Sequence, residues 1–210
     1  YLADLDLLLE QIERGTSVDL VGHSLGGNVA ALYAGVRPAR VRRLVNLEGF
    51  GLPATRPEQA PQRYARWLDE LRQPPGLRPY ESFAALAARL RQSNVRLTEE
   101  RAAFLARHWG REDGEGKVVL RSDPAHKIVN PLLYRLEEAR AVWQQVRAPV
   151  LWVDAAESDT LKRLGLSEAQ HAERRSCFKT LKYVTVQQAG HMLHHDQPQE
   201  VARRIEEFLG

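Results

Sequence analysis

A serine framed by glycines is the first feature of the chain that could do chemistry: Gly22-His23-Ser24-Leu25-Gly26-Gly27 has the form G-x-S-x-G. It directly follows the β-prone run at 17–21 and directly precedes the Ala-rich, helical run at 28–36, so strand, sharp turn and helix come in succession. A turn this tight forces its central residue into strained backbone, and Gly22 and Gly26 are expected to let neighbouring backbone approach. The Ser24 hydroxyl then projects from the sheet edge. The backbone N–H of Leu25, at the helix start, becomes a candidate donor to a developing oxyanion. A phosphate loop fits less well, because the Lys of G-x-x-x-x-G-K-[ST] and the spacing of G-x-G-x-x-G are both missing.

A serine hydroxyl is a weak nucleophile until an imidazole accepts its proton, so the chemistry demands a histidine from elsewhere in the chain. Seven are present. His191 follows Gly190, which allows a bend, in a loop between a β-prone stretch and the closing helical pattern. Beside it, His194, His195 and Asp196 raise a competing zinc site. A second ligand cluster with H-E-x-x-H spacing is missing, so no metal is expected and these residues are assigned to loop packing. His23 is assigned to the elbow, structural or lining a pocket, and His108, His126 and His171 to surface or cap positions.

The elements that must hold these groups can be read from periodicity. Leu2, Leu5, Leu8, Leu9 and Ile12 recur at helical spacing, and 41–47 reads as a buried strand closed by Gly49 and Gly51. From Pro53 the sheet pattern is suspended. Pro-punctuated helical segments at 62–73, 81–92 and 98–109 are followed by a charged loop at 110–116, a short candidate strand at 117–121 and a helix at 131–146. The apolar run Pro149-Val150-Leu151-Trp152-Val153 resumes the sheet, and a helix near 167–178, a strand at 183–186 and an amphipathic helix at 198–209 complete the order. The fold class is α/β, a mostly parallel sheet with helices on both faces, interrupted by a helical insertion. The expected division is core at 1–52, cap at 53–146 and core again at 147–210.

On these features the chain resembles the α/β-hydrolase fold family, of whose elbow His-Ser-Leu-Gly-Gly is a common form. The likeness runs over nearly the whole length. It implies a serine hydrolase cleaving a carboxylic ester or related acyl substrate through an acyl-enzyme on Ser24, with no cofactor. The loop carrying His191 resembles the family's histidine loop. The family commonly places its acid after the penultimate strand, here Asp154-Ala155-Ala156-Glu157-Ser158-Asp159, which favours Asp159 although the usual Gly-x-x-Asp spacing is disturbed. Glu48 is the rival, since Asn46-Leu47-Glu48-Gly49-Phe50 resembles relatives that carry the acid on the earlier strand, and Asp154 and Glu157 follow. The resemblance also implies strands and a His-Gly oxyanion loop ahead of the elbow. Only residues 1–23 precede it, so the chain is expected to be the C-terminal part of a longer protein, with the second oxyanion donor lying upstream.

Composition sets outer bounds. Lys and Arg exceed Asp and Glu by three charges, with the signs interleaved, which argues against a nucleic-acid surface. The single cysteine excludes an internal disulfide and favours a cytoplasmic home, and no apolar run reaches membrane-spanning length. The partner expected is a small acyl substrate, and no pairing signal fixes an oligomer. Within that class thioesters, lactones, amides and C–C bonds stay open, and a weakly catalytic or non-catalytic ligand-binding protein on the same fold is the alternative.

Overall fold

Where the apolar residues fall decides which elements form. The computed structural model describes residues 1–210. Its first part runs α1 (Leu2–Ile12), β1 (Val18–His23), α2 (Leu25–Val36) and β2 (Val41–Leu47). Next come α3 (Ala60–Arg72), α4 (Phe83–Ser93), α5 (Glu99–Trp109), β3 (Gly110–Glu112) and β4 (Val118–Leu120). The last part is α6 (Leu136–Trp143), β5 (Val150–Ala155), α7 (Thr160–Arg163), α8 (Glu168–Arg175), β6 (Leu181–Val186), α9 (Leu193–Asp196) and α10 (Pro198–Leu209).

The main sheet has the order β1-β2-β5-β6, and every neighbouring pair is parallel. Successive side chains of the two central strands leave on opposite faces. Leu44, Val150 and Trp152 join Leu9, Ala31, Tyr33, Trp143 and Phe178 on one face. Val45, Leu47, Leu151 and Val153 join Val186, Leu193, Val201 and the apolar side of α10 on the other. Coverage on both faces is why 150–153 reads as an unbroken apolar run. Because all four strands point the same way, their C-terminal ends share one edge, where ligands bind in open sheets of this kind.

The chain divides into two compact units, 1–54 with 134–210, and 55–133. The first therefore takes in 134–146, which the sequence had grouped with the insertion. The reason is packing: Ala139, Trp143 and Val146 are buried in the core of the first sheet face. Gly35 on α2 makes room for α6, since a Cβ there would lie 2.1 Å from the Val142 carbonyl oxygen. The second unit has its own core of Leu86, Ala106 and Val118, with Tyr80, Phe83 and Leu90 against it. Its helices α4 and α5 start at Ser82 and Thr98, whose side chains accept from the backbone N–H of Ala85 and Arg101. In the antiparallel pair β3–β4, β4 lies in the stretch read as a short candidate strand, whereas β3 falls in the stretch read as a loop, because a three-residue strand is too short to show an alternating pattern. No helix is long and apolar enough to cross a membrane.

Candidate active site

Ser24 sits where β1 turns into α2, with φ 52° and ψ −115°, a conformation that non-glycine residues rarely adopt. Packing around the turn enforces it. A Cβ on Gly22 would lie 2.4 Å from the Gly26 carbonyl oxygen, and one on Gly27 would lie 2.4 Å from Asn46 Oδ1. Gly26 behaves differently from expectation: a Cβ there meets nothing within 4 Å, so the steric demand falls on Gly22 and Gly27. Gly22→Ala is accordingly expected to cost about 3 kcal/mol of stability by forcing backbone apart. Gly26→Ala should be neutral or slightly stabilising within the helix. Urea unfolding of the two variants checks the contrast.

The Ser24 hydroxyl lies 2.9 Å from His191 Nε2, and His191 Nδ1 lies 3.1 Å from Glu48 Oε2. Nδ1 can bond a carboxylate only as a donor, which leaves Nε2 free to accept the serine proton. Leu25 opens α2, so its N–H has no partner inside the helix and carries the positive end of the helix dipole.

The carboxylate against His191 is thus Glu48, not Asp159. Glu48 follows β2 at φ 55° and is 1% exposed. Its Oε1 accepts from the Ala155 N–H at 2.7 Å, and its Oε2 accepts from Ser158 Oγ at 2.5 Å as well as facing His191. Three donors compensate the loss of water around a buried carboxylate. Asp159 points elsewhere, 67% exposed and paired with Arg163 at 3.0 Å. Glu157 is exposed too. Asp154 is buried, its Oδ1 accepting from Trp152 Nε1 at 2.8 Å and its Oδ2 3.4 Å from both His171 and Arg175; burial pushes its carboxyl up to about 7. The loop after β5, where the acid was expected, supplies hydrogen-bond donors to the acid instead.

Asn46 had no role assigned from sequence. Fully buried on β2, it accepts from the Gly49 N–H at 2.9 Å and donates to the Gly49 carbonyl at 3.0 Å, bracing the bend that presents Glu48. A polar residue inside the apolar run Leu44-Val45-Asn46-Leu47, close to a glycine, was the available signal. Arg174, 2% exposed on α8, holds the next stretch by donating to the carbonyls of Phe50 at 2.6 Å and Leu52 at 2.9 Å. The Gly51 N–H donates to Asn28 Oδ1 at 2.8 Å.

The histidine loop is fixed from two sides. His23 Nε2 lies 2.7 Å from the His191 carbonyl and must donate to it, and Asp196 Oδ2 accepts from the Gly190 N–H at 2.8 Å. Burial lowers the pKa of His23. His194 packs against His23 with ring centroids 4.4 Å apart, and burial, then the neighbouring His195, hold it down to about 3. No group of three or more His, Cys, Asp or Glu side chains is arranged to hold a metal ion. His171, assigned from sequence to the surface or cap, is 1% exposed and packs edge-on against Phe50 at 4.9 Å.

A cleft of about 260 Å³ opens over Ser24 and His191, walled by Leu25, Asn28, Phe50 and Leu164 among others. Phe50 lines this cleft and is at the same time part of the buried core that contains Trp143.

Comparison with known proteins agrees with this architecture. A serine hydrolase-like protein of Danio rerio is 24% identical over the whole chain, which spans 65% of that relative's length. Among solved structures, a thioesterase domain from the curacin biosynthetic pathway superposes with a TM-score of 0.81 at 25% identity, over 98% of this chain and 71% of that one. A hypothetical protein of Pseudomonas aeruginosa PAO1 superposes with a TM-score of 0.84 at 23% identity, over 100% of this chain and 73% of its own. The family model described as alpha/beta hydrolase family matches residues 1–204, and the chain belongs to that family.

Proposed function

We propose that the protein is a serine hydrolase acting on a carboxylic ester or closely related acyl substrate. One observation carries the reading: a hydroxyl, an imidazole and a buried carboxylate from three separate strand ends stand in line, at 2.9 Å and 3.1 Å. In this mechanism Ser24 Oγ attacks the carbonyl carbon while His191 Nε2 takes its proton. The carbonyl oxygen, now negative, faces the Leu25 N–H. Collapse of the tetrahedral species expels the alcohol, which leaves with the proton from His191, and Ser24 keeps the acyl group. Water then attacks the acyl-enzyme with His191 again accepting a proton, and the acid departs as that proton returns to Ser24. Glu48 holds the imidazole in the required tautomer and stabilises its charged form.

Labelling with a fluorophosphonate tests the proposal, since only an activated serine reacts readily with such a reagent. Peptide mass spectrometry is expected to find a single adduct, on the peptide containing Ser24. An adduct at another residue, or none on the intact folded protein, would reject the assignment.

A further inference from the structure

The cleft over Ser24 contains charge that acyl transfer does not use. Arg163, at the end of α7, lines it. Two sides of its guanidinium are tied down: Nε pairs with Asp159 at 3.0 Å and Nη2 donates to Thr160 Oγ1 at 3.0 Å, while Nη1 has no partner within the protein. The planar fork is therefore held in orientation with one donor group to spare. Behind the Phe50–Leu52 wall lies the buried Arg174, which bonds only carbonyl oxygens and forms no ion pair. The guanidinium comes within 3.0 Å of where a Cβ on Gly51 would be. The one acid lining the cleft is Glu48, whose oxygens are already engaged by Ala155, Ser158 and His191. Asp159, which steadies Arg163, lies mostly in solvent, where water screens it.

We infer that the substrate carries an anionic group, a carboxylate or similar oxyanion, and that Arg163 is the residue that recognises it. The inference rests on the hydrolase reading above and specifies its substrate class. Arg163 is 56% exposed, so water screens the bond it makes to an anion, which contributes about two- to fivefold in kcat/KM.

Two matched pairs of esters test it with the intact protein. p-Nitrophenyl hydrogen adipate against p-nitrophenyl methyl adipate places the charge on the acyl side. 4-Acetoxybenzoate against its methyl ester places it on the leaving side. A preference of about two- to fivefold for the charged member of either pair is expected. That ratio should fall towards unity in Arg163→Gln and be partly restored in Arg163→Lys, whatever happens to the absolute rates. Equal rates within both pairs, or a preference that survives Arg163→Gln, would overturn the inference while leaving the esterase reading intact. Failure of all four esters together with no fluorophosphonate adduct on Ser24 would remove the parent reading and this one with it.

Discussion

Replacing Ser24 by alanine is expected to lower kcat towards p-nitrophenyl esters by at least about 10⁴-fold, because the acyl acceptor is lost while the cleft and the oxyanion donor remain. The loss should appear in kcat rather than KM, since the hydroxyl contributes to bond making and not to holding the ground state. Melting temperature is the control: the elbow is packed by Gly22 and Gly27 and not by the hydroxyl, so the variant should unfold close to wild type. A Ser24→Ala protein that kept more than a hundredth of the activity would point to a different nucleophile.

Glu48→Gln is the second large effect, with kcat expected to fall by about 10³- to 10⁴-fold. The Ala155 N–H and the Ser158 hydroxyl both present donors to this side chain. An amide satisfies the first with its oxygen and then turns its NH2 towards His191. The imidazole must answer with an unprotonated Nδ1, which puts the proton on Nε2, where it cannot accept one from Ser24. Asp159→Asn should cost less than about fivefold, because its partner is a solvent-exposed arginine and such pairs are worth about 1 kcal/mol or less. Parallel kinetics on the two variants decide between the carboxylates. A greater loss in Asp159→Asn would return the assignment to the loop after β5.

Much of this arrangement was legible in the residues. The elbow could be read because sterics at a strand-to-helix turn leave a local signature. The fold could be read because parallel strands covered on both faces show as apolar runs between amphipathic helices. The carboxylate could not be fixed in the same way. Glu48 and Asp159 are both close to the right strand ends, and what separates them is which side chain turns inward. That depends on Asn46 bracing Gly49 and on the Ser158 hydroxyl meeting the carboxylate, contacts between residues far apart in the chain. His171 was misplaced for a related reason: its helix α8 is strongly charged, and burial of one imidazole on it is set by Phe50 and Trp152 on other elements. The insertion's far boundary was misjudged because a helix that packs against the sheet and one that packs elsewhere carry the same periodicity.

Seating the carboxylate directly after β2 leaves the neighbouring segment an unusual freedom to diversify. In the proposed mechanism nucleophile and acid belong to one strand-helix-strand unit, and the stretch from Asp159 to Leu164 is relieved of proton-handling duty. Evolution could redraw that stretch, charge included, to court new substrates without disturbing the chemistry next door.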